Sequence, residues 1–214
     1  MLADRYVDQT IAVVNEGVGG EWAEQGAGRF PSVLRTVRPD IVILLEGVND
    51  LNFLGRSGQS RTASFVESMA KEVRFFGAKL LVAGYPPEVQ GRSSKADAAA
   101  FIQEYNARLR EMTRGEGGIY VDLFAAFGND SGLIGPDGLH PTPAGYDRMA
   151  QTFFDIIKAN FEEARTTAQS TGTETTSHTP DATETSDEAA VASTSPNSSR
   201  APRASRTPSA AVRQ

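Results

Sequence analysis

The chain has 214 residues, a net charge of −6 with its two histidines neutral, and no cysteine. The missing cysteine excludes disulfides, thiolate catalysis and Cys-ligated zinc, and an acidic chain without a basic stripe argues against nucleic acid as a partner. No apolar run approaches the ~20 residues that span a bilayer, and the opening MLADRYVDQT lacks the pattern of a signal peptide.

Leu2 to Val7 reads as a short helical remnant. Thr10–Val14 is a β-branched apolar run, predicted to be a buried strand. It ends in the glycine-rich turn Asn15-Glu16-Gly17-Val18-Gly19-Gly20-Glu21. Ala23 to Val37 has helical spacing, with Phe30, Val33, Leu34 and Val37 on one face; Pro31 predicts a kink or a late start. Ile41–Leu45 is apolar throughout, as a strand covered on both faces should be. Gly47-Val48-Asn49-Asp50 follows it, with a loop expected to about Ser60. The next helix carries Phe65, Met69, Val73 and Phe76 on one face. A third strand is predicted at Ala78–Ala83, a helix at Lys95–Met112 and a short fourth strand at Ile119–Val121. A loop with Asp137 and His140 leads to a last helix, from Pro143 to about Glu163, with Tyr146, Met149, Phe153, Ile156 and Ile157 turned inward.

Strands and helices alternate, which gives an α/β fold: a parallel sheet with helices on both faces. In such sheets ligands bind at the carboxyl ends of the strands, where the polar motifs of this chain fall. One element is out of place. The chain opens on a helix that should itself follow a strand, and that first strand is missing.

From Arg165 to Gln214 there is no Phe, Tyr, Trp, Leu, Ile or Met, so this segment cannot bury enough apolar surface to offset the entropy of ordering it. Two units are therefore expected: a domain over 1–164 and a disordered Ser/Thr/Pro/Ala-rich tail over 165–214. The tail's five acids balance its five arginines, which leaves the whole net charge on the domain. His178 lies in the tail and is not expected to be catalytic.

Three motifs carry chemistry. Gly-x-Gly-Gly at 17–20 either cradles an anion with backbone N–H groups or simply makes a tight strand-to-helix turn. It is not a dinucleotide fingerprint, because the third glycine would fall at Trp22, and no phosphate-loop Gly-Lys-Ser/Thr follows. Asn49 at a strand end offers an amide donor for an oxyanion, or else caps a helix together with Asp50. Asp137, three residues before His140, can hold an imidazole in the orientation of a general base; the alternative is a surface loop with a polar cap.

Taken together and in order, these motifs resemble the SGNH hydrolases, the GDSL family of esterases and lipases. Asn15–Glu21 looks like the family's second block, Gly47–Asp50 its third and Asp137–Pro141 its fifth, over residues 1 to about 160. The resemblance implies a flavodoxin-like three-layer α/β/α fold and hydrolysis of a small-molecule ester through an acyl-serine intermediate, without cofactor or metal. It implies His140 as the general base, Asp137 as its orienting acid, and the Gly20 N–H and the Asn49 side chain as oxyanion donors. Leu51, Phe53 and Leu54 would border the substrate groove. Neither the oligomeric state nor the cellular location is implied.

The family's first block, Gly-Asp-Ser, supplies the nucleophile at the end of the first strand, and it does not occur in this chain. Ser32, Ser57 and Ser131 are not on a rigid element near the base and are not expected to substitute. The expectation is a serine esterase whose serine lies upstream of Met1. It should fold poorly as written, with unpaired strand edges, unless another segment fills the gap. The alternative is a remnant or a binding module for acyl or glycosyl esters that has lost its nucleophile. A nucleotide-binding α/β domain shares the fold class but fails on the motifs.

Overall fold

A computed structural model describes residues 1–91 and 97–162 and the backbone of 209–212. The elements are α1 (Leu2–Arg5), β1 (Ala12–Asn15), α2 (Ala23–Val37), β2 (Ile41–Leu44), α3 (Val48–Leu54), α4 (Gln59–Phe76), β3 (Lys79–Gly84), α5 (Ile102–Gly115), β4 (Ile119–Asp122), α6 (Leu123–Phe127), α7 (Pro143–Phe161) and β5 (Ser209–Val212). The sheet has the order β1-β5-β2-β3-β4, and every pair in it is parallel.

The period-2 alternation of β2 and β3 sorts their side chains into two cores. Val42, Leu44, Leu80 and Val82 face α2, α4 and α5 through Phe30, Leu34, Met69, Val73, Tyr105 and Leu109. Ile43, Leu81 and Ala83 turn the other way and meet Leu123, Phe127, Met149 and Ile157 of α6 and α7. This is the three-layer architecture expected from the alternating pattern.

Several local expectations are corrected. Thr10–Val14 is not a buried strand: β1 spans Ala12–Asn15, and Val13 is 58% exposed. It is an edge strand, and only the four-residue α1 precedes it, so its faces are thinly covered. Residues 51–60 are not a loop. They continue α3 and, through a 3-10 turn at Gly55–Gly58, run directly into α4. In α4 Met69 and Val73 are buried as expected, but the stripe continues through Thr62 and Val66, while Phe65 is half-buried and Phe76, at the helix end, is 37% exposed. Pro31 lies well inside α2, which starts at Ala23, so the late-start reading falls. The helix before β4 begins at Ile102 rather than Lys95, after a 3-10 turn at Asp97–Ala100. A short helix that the periodicity did not predict, α6, follows β4, capped by the Asp122 carboxylate accepting from the Ala125 N–H. Tyr146, expected to face inward, is 38% exposed at the cavity rim described below.

The gap left by the missing first strand is where the fold departs from a simple reading. β1 and β2 do not pair with each other. Ser209–Val212 lies between them, with Ala12–Asn15 on one side and Ile41–Ile43 on the other. The remaining residues of the expected tail, and with them the domain boundary at 164/165 and His178, lie outside the described residues. Beneath the slot an apolar cavity of about 350 Å³ remains, lined by Ile11, Val13, Ile43, Leu45, Met149 and Phe153 among others.

Candidate active site

The carboxyl ends of β1 and β2 and the loop before α7 converge on one cavity of about 210 Å³, which takes in Asn15, Gly20, Glu46, Asn49, Tyr85 and His140. Three of the four residues singled out from the sequence line it (Gly20, Asn49 and His140), and the fourth, Asp137, is bonded to His140.

The Asp137–His140 pair is built locally. The Asp137 Oδ1 accepts the backbone N–H groups of Leu139 and His140 at 3.1 and 3.0 Å, closing a tight turn in which Gly138 has φ +74°. Its Oδ2 lies 2.5 Å from the His140 Nδ1. One oxygen thus shapes the loop and the other holds the ring. The bond from His140 lowers the Asp137 carboxyl to about 2, opposed by burial and aided by the two backbone N–H groups. The loop is anchored at both ends: the Gly135 N–H donates to the His140 carbonyl at 2.7 Å, and the Val89 N–H donates to the Gly138 carbonyl at 2.7 Å. Thr142 then caps α7, accepting from the Gly145 N–H, with Pro143 in the first turn where a missing N–H costs nothing.

Across the cavity, Gly47 is the N-cap of α3, and its φ is +113°. A Cβ there would lie 2.5 Å from the Thr62 Cγ2 and 2.8 Å from the Tyr105 hydroxyl. Both the backbone and the packing therefore require glycine. Gly47→Ala is expected to destabilise the fold by about 3 kcal/mol or more, since strain and overpacking each cost ~1–3 kcal/mol; equilibrium urea unfolding checks this. The Val48 N–H donates to the Tyr85 hydroxyl at 3.0 Å. Tyr85 is itself gripped by Asn106, which accepts its N–H and donates to its carbonyl, both at 2.8 Å. Burial pushes the Tyr85 hydroxyl well above the ordinary tyrosine range, so it stays protonated.

Two bonds tie α3 to the glycine-rich turn. The Asn49 Nδ2 donates to the Glu21 carbonyl at 2.9 Å, and the Ala23 N–H at the start of α2 donates to the buried Asp50 carboxylate at 2.9 Å. Burial raises the Asp50 pKa, while that N–H bond pulls it down. Gly20, at φ +79°, is the left-handed residue of the turn, which accounts for a glycine there. Arg29 reaches back from α2 to bond Glu21 and the Glu16 carbonyl. Sequence reasoning missed Arg29 and Glu46 as parts of the site; it placed Tyr85 at the groove and Glu21 and Asp50 within the motifs, without the bonds that the structure gives them. Asp50 and Glu46 flank Gly47 and Asn49, and a buried acid beside a motif glycine was the available signal.

No serine, threonine or cysteine lines the cavity among the described residues. Ser32 is exposed on α2, Ser131 is exposed on a 3-10 turn, and the exposed Ser57 donates to the Leu54 carbonyl. Of the residues expected to border a groove, Leu51 is fully buried in the core, whereas Phe53 is 75% exposed and packs its ring on Trp22.

Residues 1–148 match the GDSL-like lipase/acylhydrolase family. The chain belongs to this family. It is 28% identical to the esterase TesA of Pseudomonas aeruginosa over 163 residues, covering 73% of this chain and 74% of TesA. A crystal structure of TesA superposes with a TM-score of 0.60 at 25% identity, over 74% of this chain and 85% of that one. A GDSL-like lipase from Bacteroides thetaiotaomicron shares the fold, with a TM-score of 0.59 at 21% identity, over 73% of this chain and 97% of that one. Membership in the GDSL family fits the parallel sheet flanked by helices and the position of the motifs at the strand ends.

Proposed function

We propose that this domain is the ester-hydrolysing machinery of a GDSL-type serine esterase whose nucleophilic serine lies upstream of Met1. The observation that carries this reading is the His140–Asp137 pair facing Gly20 and Asn49 across one cavity that no serine, threonine or cysteine lines among the described residues. A strand seated between β1 and β2 would end at that cavity, because all strands run parallel. The serine Oγ would attack the ester carbonyl carbon while the His140 Nε2 takes its proton. The Gly20 N–H and the Asn49 amide would hold the developing oxyanion. Collapse would break the C–O bond, and His140 would return the proton to the leaving alcohol. Water, deprotonated by His140, would then release the acid from the acyl-serine. Asp137 would keep Nδ1 protonated and stabilise the imidazolium. The substrate is a small-molecule ester.

The test is to read the coding sequence upstream of Met1 in frame, express the longer chain and assay short-chain p-nitrophenyl esters. An apolar strand ending in Gly-Asp-Ser and turnover abolished by Ser→Ala are expected. A stop codon directly upstream, or turnover indifferent to that serine, would overturn the reading. The absence of a serine, threonine or cysteine from the cavity lining among the described residues and the occupation of the slot by Ser209–Val212 favour a second reading for the chain as it stands: a module that binds esters without turning them over. A cooperative thermal transition with ester binding and no hydrolysis supports it.

A further inference from the structure

The Glu16–Glu21 turn has little structure of its own. Its internal backbone bonding among the described residues is a 3.2 Å bond from the Glu21 N–H to the Val18 carbonyl, and the Gly17 N–H donates to the Asn15 side chain. A Cβ built at Gly19 or Gly20 would meet nothing within 4 Å, so packing does not shape the turn at these two positions. Three glycines in six residues carry a large entropy cost of ordering. Something outside the turn must fix it.

Arg29 is that group. Its Nε donates to the Glu21 Oε1 at 2.5 Å and its Nη2 to the Glu21 Oε2 at 2.6 Å, a bidentate pair. The same Nη2 donates to the Glu16 carbonyl at 2.7 Å. One guanidinium therefore grips both ends of the turn. Glu21 is only 7% exposed while the Arg29 side chain is 29% exposed, so the pair is partly buried and less screened by salt than a surface pair. The planar fork of arginine makes all three bonds from one rigid group, which a lysine ammonium on a flexible stem does not reproduce. Arg29 itself sits on α2, whose first N–H is held by Asp50 next to Asn49. The two sides of the cavity are thus referenced to the same helix.

We infer that Arg29 is a positioning residue that fixes the Glu16–Glu21 turn and so sets Gly20 against Asn49 at the cavity. It touches no substrate; it acts through the turn, and its meaning for catalysis rests on Gly20 and Asn49 being the oxyanion donors. The experiment uses the full 214-residue chain, uniformly 15N-labelled, as wild type, Arg29→Gln, Arg29→Lys and Glu21→Gln. Two quantities are read: the relaxation and amide exchange of residues 17–21 without ligand, and the shifts of the Gly20 amide and the Asn49 side chain on titration with acetate, a carboxylate that presents an oxygen anion. The downfield proton of the His140–Asp137 bond is the internal control for the rest of the site.

In Arg29→Gln the turn amides are expected to exchange at least about 10-fold faster and acetate to bind at least about 10-fold more weakly, with the His140–Asp137 proton retained; one lost charge-assisted bond supports a change of this size. Arg29→Lys should recover part of the loss. Glu21→Gln breaks the same contact from the other side and reads the clamp even where Arg29→Gln impairs folding. Turn dynamics and acetate binding unchanged in both Arg29→Gln and Glu21→Gln would overturn the inference. A wild type whose Gly20 and Asn49 signals ignore acetate would sink the donor assignment instead, and the ligand-free dynamics of residues 17–21 would still decide whether Arg29 holds the turn.

Discussion

Replacing His140 by alanine in the longer, serine-bearing chain is expected to lower kcat by roughly 10⁴-fold or more with little change in KM, as when a triad base is removed. The reason is local. His140 is 60% exposed and is the only histidine at the cavity among the described residues, so no second imidazole there takes its place. Asp137→Asn should cost roughly as much, because the amide presents an N–H where the ring nitrogen needs an acceptor and favours the wrong tautomer. The pH profile adds a second check. The folded-state pKa of Asp137, about 2, lies below its ordinary 3.8. The carboxylate's contribution to the loop is therefore fully present above about pH 4 and is lost only as the pH falls from there towards 2. Activity lost on acidification above pH 4 therefore does not come from protonation of Asp137. Steady-state hydrolysis of p-nitrophenyl butyrate across pH 4–9 measures all three effects. Full turnover by His140→Ala would remove the base from the mechanism.

A cysteine pair at Val13 and Ala210 is expected to crosslink spontaneously on mild oxidation of the 214-residue chain. These two residues are register partners in β1 and β5, and strands about 4.8 Å apart bring paired Cα atoms within disulfide range. The native chain has no cysteine to compete. The bond would close a loop of about 200 residues, worth roughly 5 kcal/mol on the chain-entropy scale. That corresponds to a rise of roughly 10–20 °C in Tm for a chain of this size. The gain is large because the loop closed is long. Non-reducing electrophoresis and thermal unfolding with and without reductant check both parts. Failure to form the intramolecular crosslink would mean that Ser209–Val212 does not reside between β1 and β2.

Much of this fold follows from the sequence alone. The apolar runs of β2 and β3, the helical spacing of α2 and α7 and the alternation of the two types determine a parallel sheet with helices on both faces. These are periodicities within a few turns of chain, set by burial of one face or both. The Asp137–His140 pair was equally legible, because a carboxylate three residues before a histidine closes its turn on itself. The tertiary structure alone decided what depends on distant residues. It brought Arg29 onto the Glu16–Glu21 turn, Asn49 onto the Glu21 carbonyl and Asp50 onto the start of α2. It turned residues 51–58 from loop to helix, because Leu51 finds a place in the core. It put Ser209–Val212 into the slot beside β1, though nothing in that segment's composition marks it as a strand. A sheet with a central strand absent leaves two rows of backbone N–H and C=O groups unpaired, and the demand of those groups for partners, not the side chains of the segment, decides what lies there.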